Sequence, residues 1–323
     1  MCLGQTNQGS QIKETDALRF SIPHPKGKIE FIKLGLDTTI QKPTILFLQG
    51  SLPVPLVFDL ETRKHIHIPF SYDSLSKHFH IIEISMPHTP LIVSIDQVNS
   101  KYCYITDTTN EHAYDTNYIR DNVLDVYVDR ASSVIEFLTQ KTWIDSNSIH
   151  VIGHSQGSKV GAVLASESNQ IASVSLLGFN PYGRYDQFIR AERQKLQDEL
   201  ITPEEYLTNI DELYDRWQSI CNTPNDVNLE HHTWVSFSKN YLPYLLQIDV
   251  PIFVGYGTKD IISDNCDLLP IDFISAGKSN LTVKPYFGLD HSFYQIVDGK
   301  PDHRNGAHFG DVVNDITNWI DTQ

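Results

Sequence analysis

Positive charge is in short supply in this chain. Lysine and arginine number 25 against 40 aspartates and glutamates, a formal net charge of −15. Nucleic acid and anionic lipid surfaces both recruit cations, so sequence-independent binding to either is disfavoured. Long apolar runs are missing as well. No stretch reaches the ~18 residues that mark a membrane-spanning helix, and no membrane span is expected. Cysteine is sparse: Cys2, Cys103, Cys221 and Cys266 stand far apart with no C-x-x-C pair. That spacing is no zinc pattern and neither demands nor forbids a disulfide. The four read as free thiols or small core residues. No phosphate loop or dinucleotide glycine pattern occurs, and nothing repeats internally.

The opening residues, Met1-Cys2-Leu3-Gly4-Gln5, are too short for a signal peptide. They fit a remnant of one, with Cys2 as a lipid-attachment cysteine or Gln5 near a cleavage point, and fit an ordinary cytoplasmic start equally well. Compartment therefore stays open between cytoplasm and export, and oligomeric state is open too.

What is present is a globular composition. Apolar residues make up 40% and charged residues 20% of 323 residues, which excludes a disordered chain. A single α/β domain of ~200–250 residues fits with room for an insertion. Residues 1–27 are polar and read as an arm or early edge strand. From Lys28 onward short apolar runs alternate with helical patterns. The runs are Lys28–Leu34, Thr44–Leu48, His80–Ser85, Ser148–Ile152, Ser173–Phe179, Pro251–Gly255 and Leu281–Phe287. Runs so short and apolar suit buried strands of a parallel sheet. Tyr118–Gln140 spaces Ile119, Val123, Val126, Tyr127, Val134 and Leu138 along one stripe, the pattern of an amphipathic helix. Ser158–Ser166 and Ala307–Asp321 are helical as well. This alternation predicts an α/β fold with a mostly parallel sheet covered by helices on both faces.

One segment interrupts the alternation. Some seventy residues between Phe179 and Pro251 lack a good strand and offer helical stretches at Asp186–Leu200, Pro203–Ser219 and Glu230–Leu246. An insertion leaving the carboxyl end of one strand and returning before the next sits over the edge where open α/β sheets bind ligands. The expected organisation is an arm at 1–27, a core at 28–180 and 251–323, and a helical cap at 181–250. Decoration on the outside of the fold is the alternative.

The strongest chemical signal is Gly153-His154-Ser155-Gln156-Gly157, a G-x-S-x-G run between a strand and a helix. A serine on so sharp a turn needs neighbours without Cβ atoms, and the helix behind it favours a developing anion. A serine hydroxyl at neutral pH needs a base. Downstream, Asp260 follows the buried run ending in Val254-Gly255-Tyr256-Gly257, and His291 follows Tyr286-Phe287-Gly288-Leu289-Asp290. Asp264 and Asp290 are weaker alternatives for the acid, Asp290 because it would have to turn back on its neighbour's ring.

Across residues 28–323, weakest in the insertion, the chain resembles the α/β-hydrolase superfamily in the elbow sequence and in the order Ser, Asp, His. The resemblance implies Ser155 as nucleophile, His291 as base and Asp260 as the acid that orients it. It implies an oxyanion hole from the backbone of Gln156 and of the loop Gln49-Gly50-Ser51-Leu52, with Ser51 preferred over Leu52. Many relatives carry His-Gly where this chain has Gln49-Gly50. Gly50, Leu52, His154, Tyr182 and Arg184 are expected to bind substrate. Arg184 could clamp an anionic group, although a structural ion pair with the acidic insertion is the stronger expectation. The aromatic residues Trp217, Trp234 and Tyr241 read as packing before pocket. The pairs His65/His67 and His78/His80 have no further ligand in metal spacing, so no metal and no cofactor is expected.

These readings converge on a soluble serine hydrolase cleaving a small-molecule carboxylic ester, with bulky esters and lactones among the candidates. The alternatives are a serine peptidase of prolyl-peptidase type, a thioesterase or acyltransferase, and, least favoured, a binding protein that keeps the fold without chemistry.

Overall fold

The computed structural model describes residues 9–224 and 227–323; Cys2 and Gln5, with the readings placed on them, lie outside the described residues. Strands β1 (Ser10–Gln11), β2 (Ala17–Ile22), β3 (Ile29–Leu34) and β4 (Lys42–Leu48) come first. β5 (Val57–Asp59), β6 (Lys64–Ile66), β7 (His80–Ile84) and β8 (Ile92–Ser94) follow, then helices α1 (Thr116–Asp121) and α2 (Leu124–Thr139). β9 (Ile144–His154), α3 (Gln156–Glu167) and β10 (Ser173–Leu177) carry the G-x-S-x-G run. Four helices then intervene: α4 (Asp186–Gln197), α5 (Pro203–Asn222), α6 (Leu229–Phe237) and α7 (Leu242–Gln247). β11 (Ile252–Gly257), α8 (Leu269–Ser275), β12 (Leu281–Tyr286), the short β13 (Ile296–Val297) and β14 (Lys300–Pro301), and α9 (Phe309–Ile320) complete the order.

Nine strands form the central sheet in the order β1-β2-β3-β7-β4-β9-β10-β11-β12. The first three pairings are antiparallel and every pairing from β7–β4 to β11–β12 is parallel. Residues 17–22, in the stretch read as an arm or edge strand, are the second strand of this sheet. β5, β6 and β8 make a small separate sheet.

The strands are apolar on both sides because both sides are covered. Along β4, Leu46 and Leu48 join one core with Val151 of β9, while Ile45 and Phe47 join the other with Ile152. Successive side chains point to opposite faces of a strand, so one run feeds two cores. The first core is closed by α2 and α3 through Leu124, Val134, Leu138, Val160 and Val163. The second is closed by α9 through Phe309, Val312, Val313 and Ile316. Among the described residues, no helix is long and apolar enough to cross a membrane.

Two helices expected to be continuous are broken. The stretch Tyr118–Gln140 divides at Asn122 and Val123, where the backbone leaves helical geometry. Asn122 is held there by tertiary bonds: its Oδ1 accepts from Gln156 Nε2 at 3.1 Å and from the Tyr127 hydroxyl at 3.0 Å. The stretch Glu230–Leu246 divides between Phe237 and Leu242, with Pro243 in the first turn of the second piece. A proline lacks the amide that an inner turn requires but fits a helix start.

Candidate active site

The carboxyl ends of β9, β10, β11 and β12 bring the three distant side chains together. Ser155 is the residue between β9 and α3 and has φ +55° and ψ −117°, a conformation rare for a residue with a side chain. The flanking glycines make it possible. A Cβ on Gly153 would be driven into the carbonyl of Gly157, and one on Gly157 into the carbonyl of Leu48 on the neighbouring strand. The Ser155 amide donates to the Leu177 carbonyl at the end of β10 at 2.8 Å, which fastens the turn to the sheet. Its hydroxyl makes no capping bond to α3 and is left to other partners.

Its partner is His291, in the loop after β12, whose Nε2 lies 2.9 Å from Ser155 Oγ. Nδ1 of the same ring lies 2.7 Å from Asp260 Oδ2. Asp260 follows β11 and is buried, and burial pushes its carboxyl upward. Bonds from His291, the Ser263 hydroxyl at 2.6 Å and the Ile262 amide at 2.9 Å outweigh that and hold it below the ordinary carboxylate range. At neutral pH it is therefore ionised, which fixes the histidine proton on Nδ1 and leaves Nε2 free to accept. The alternatives for the acid are committed elsewhere. Asp264 pairs with Arg190, and Asp290 Oδ1 caps its own loop through the amides of Ser292 and Tyr294 at 2.9 and 2.8 Å.

Gln156 begins α3, so its amide has no carbonyl one turn back to bond. Its side chain reaches Asn122, which explains why the break in the preceding helical stretch lies beside the site. Ser51 is pinned from the other side: its carbonyl accepts from the Tyr118 hydroxyl at 2.7 Å. Asn122, Tyr118 and Ser263 carried no sequence signal, since their importance is a contact across 34 or more positions or a bond to one particular oxygen. Gly178 was equally silent; a side chain there would press on the His291 ring.

Two cavities meet at Ser155. Ser51, Ser155 and His291 line both. The first, about 400 Å³, has walls that include Phe47, Leu52, Val54 and Phe309, and Gly50 and His154 also line it. Burial lowers the His154 imidazole to about 4, so it is neutral and its Nε2–H donates to the His291 carbonyl at 2.9 Å. The second, about 260 Å³, holds Arg184 and Lys159. Tyr182 lines neither; its hydroxyl donates to Asp272 on α8 at 2.6 Å, which holds it away from Ser155. The expected ion pair of Arg184 with the acidic insertion is not formed among the described residues. Its guanidinium instead lies over the Trp234 ring, 4.2 Å from the centroid. Among the described residues no cluster of three or more histidine, cysteine or acidic side chains could hold a metal.

Glu83 on β7 also lines the first cavity, is 1% exposed, and has one oxygen without a partner. Burial drives its carboxyl well above the ordinary range. An acid whose folded pKa is raised stabilises fully below the unfolded value and loses that contribution as pH rises. Glu83→Gln removes the titration and keeps the shape. Its urea midpoint should match that of the parent at about pH 4 and exceed it increasingly toward about pH 8. Parallel pH curves for the two proteins would contradict the buried neutral acid.

No family model and no curated protein matches the chain. Solved structures do resemble it. An acylaminoacyl peptidase of Pyrococcus horikoshii aligns over 96% of this chain and 42% of its own, at 13% identity and a TM-score of 0.57. Dipeptidyl peptidase 4 of Porphyromonas gingivalis aligns over 96% and 36%, at 11% identity and 0.57. A protein of Klebsiella pneumoniae assigned as a dienelactone hydrolase aligns over 95% and 98%, at 12% identity and 0.54. The chain thus spans about two fifths of the length of the two peptidases and nearly the whole of the third. Identities this low speak to architecture alone, and the architecture, with its switch from an antiparallel edge to a parallel sheet, places this chain in the α/β-hydrolase fold.

Proposed function

We propose that the protein is a serine hydrolase that cleaves a small carboxylic ester through Ser155, His291 and Asp260. The observation that carries the reading is the continuous chain Asp260–His291–Ser155, with contacts of 2.7 and 2.9 Å at the mouth of two cavities.

In this mechanism Ser155 Oγ attacks the ester carbonyl carbon while His291 Nε2 takes the hydroxyl proton. The carbonyl oxygen becomes an oxyanion facing the amides of Gln156 and Ser51, at the start of α3, where the helix favours negative charge. The intermediate collapses, the C–O bond to the alcohol breaks, and the alcohol leaves with the proton from His291. Water then gives a proton to the same nitrogen and attacks the acyl-enzyme. The carboxylic acid departs, and the proton returns to Ser155. Asp260 stays ionised and stabilises the imidazolium at each stage.

An ester suits the larger cavity because its walls are mainly apolar, and orientation needs only a few polar groups. The likeness to peptidases favours a second reading, cleavage of a peptide. An aminopeptidase would need a fixed negative charge for the substrate ammonium. Burial raises the carboxyl of Glu83, the acid in the larger cavity, well above the ordinary range, which disfavours a fixed charge there. The helices at 186–247 are proposed to act as the cap over this site, since Gln187 and Phe237 line the second cavity.

The test is a comparison of 4-nitrophenyl esters with proline 4-nitroanilides, together with a fluorophosphonate probe. The expected result is ester turnover and probe labelling at Ser155, with anilides inert. Anilide turnover exceeding ester turnover would favour the peptidase, and absence of labelling would remove the activated serine.

A further inference from the structure

The protein carries a formal net charge of −15, yet one wall of its site holds a guanidinium. The second cavity beside Ser155 is lined by Lys159 and Arg184 and by no carboxylate. The two basic groups differ in how they are held, and burial lowers the Lys159 amine well below its ordinary range. Lys159 Nζ is tied to the carbonyls of Gly183 at 2.7 Å and Phe237 at 3.2 Å, a structural brace between α3 and the helical insertion. Arg184 has no such anchor. Among the described residues its guanidinium makes no hydrogen bond and no ion pair, and Nη1 is buried without a partner.

Nearby acids are otherwise engaged or set outward. Asp186 receives Asn180 Nδ2 at 2.9 Å and Arg190 at 2.9 Å. Glu230 lines an outer cavity that Arg184 also borders but forms no ion pair with it, and its side chain is exposed. The guanidinium of Arg184 is itself stacked over Trp234, which orients the fork while its N–H donors stay unspent among the described residues. An orphaned buried donor of full charge is costly to a fold, and a guanidinium matches the two oxygens of a carboxylate.

We infer that Arg184 is the anchor for a carboxylate carried by the substrate, so that the preferred ester is an anionic one. The carboxylate would occupy the smaller cavity and the apolar half the larger, with the scissile carbonyl between them at Ser155. This rests on the hydrolase reading above for the reaction, but the anion site itself does not require turnover.

Two ester pairs test it. Mono-4-nitrophenyl glutarate against 4-nitrophenyl valerate places the charge in the acyl half. 4-(Butyryloxy)benzoate against its methyl ester places it in the leaving half. In one pair the charged member should have the higher kcat/KM, by about 10- to 100-fold, as expected for a charge-assisted bond. The charged-to-neutral ratio should fall toward one in Arg184→Met, be partly retained in Arg184→Lys, and shrink with added salt. Taking the ratio within each variant removes any effect on folding. Equal rates in both pairs, or a preference that survives Arg184→Met, would overturn the anion site and leave the hydrolase intact. If no ester is turned over, the hydrolase reading fails, and calorimetry with monomethyl glutarate decides the site alone. Binding lost in Arg184→Met keeps the proposal; no binding, or binding indifferent to the substitution, removes it.

Discussion

Ser155→Ala should lower ester turnover by about 10⁴-fold or more, with the far-ultraviolet circular dichroism and urea midpoint near those of the parent. The substitution removes one atom, the Oγ that lies 2.9 Å from His291 Nε2. Among the described residues lining the two cavities no other nucleophile is bonded to a base, so residual rate would come from substrate binding and oxyanion stabilisation of attack by water. Folding should survive for reasons visible in the turn. The strained φ of +55° is made possible by the small neighbours Gly153 and Gly157 and by the amide bond to Leu177, all of which remain. Alanine at this φ is no worse placed than serine. Fluorophosphonate labelling should vanish with turnover. A variant with comparable turnover would show that the nucleophile is elsewhere.

Asp260→Asn should cost about 10³–10⁴-fold in kcat with little change in overall structure. The reason lies in counting donors. The Asp260 carboxylate receives three: the Ile262 amide on Oδ1, and the Ser263 hydroxyl and His291 Nδ1–H on Oδ2. Asparagine has one acceptor oxygen and an NH₂ that donates. The Ile262 amide cannot change its role, so the oxygen stays with it, and the NH₂ turns toward Ser263 and His291. The serine hydroxyl can rotate to accept. The imidazole can accept only by moving its proton to Nε2, the nitrogen that must receive the Ser155 proton. The enzyme would then rest in the wrong tautomer. The predicted signature is a collapse of kcat with KM nearly unchanged, since no substrate contact is lost. A drop in kcat/KM carried by KM alone would assign Asp260 to binding instead.

Much of this site was legible before any coordinates. The elbow is a local object: two glycines, a serine and the apolar run before them state which backbone angles are allowed, and short-range sterics does the rest. Asp260 and His291 stood out because each follows a strand-like run, at the sheet edge to which the elbow also points. Other features were not local. Tyr118–Gln140 reads as one helix by its periodicity, and the break at Asn122 is held by bonds from Gln156 and Tyr127 and, at the start of α2, by Ser236, two of them distant in the chain. Glu83 sits in His-Ile-Ile-Glu-Ile, which alternation alone cannot distinguish from a strand with one side in water. Arg184 in an acidic neighbourhood suggests an ion pair, and the structure gives it an aromatic face and an open cavity.

The amino-acid order by itself marked the seven central strands from β3 to β12 that begin at residues 29, 42, 80, 144, 173, 252 and 281, the strained turn at residue 155 and the identities of the groups that could react there. Those follow from interactions within a few residues. Tertiary structure alone decided that residues 155 and 291, 136 positions apart, and 260 and 291, 31 positions apart, meet within hydrogen-bonding distance. It also decided that Arg184 lies over Trp234 and, among the described residues, makes no hydrogen bond or ion pair beside them. Distances across a sheet depend on strand order and register, which are set when two cores on opposite faces pack at once, and no local pattern records that outcome.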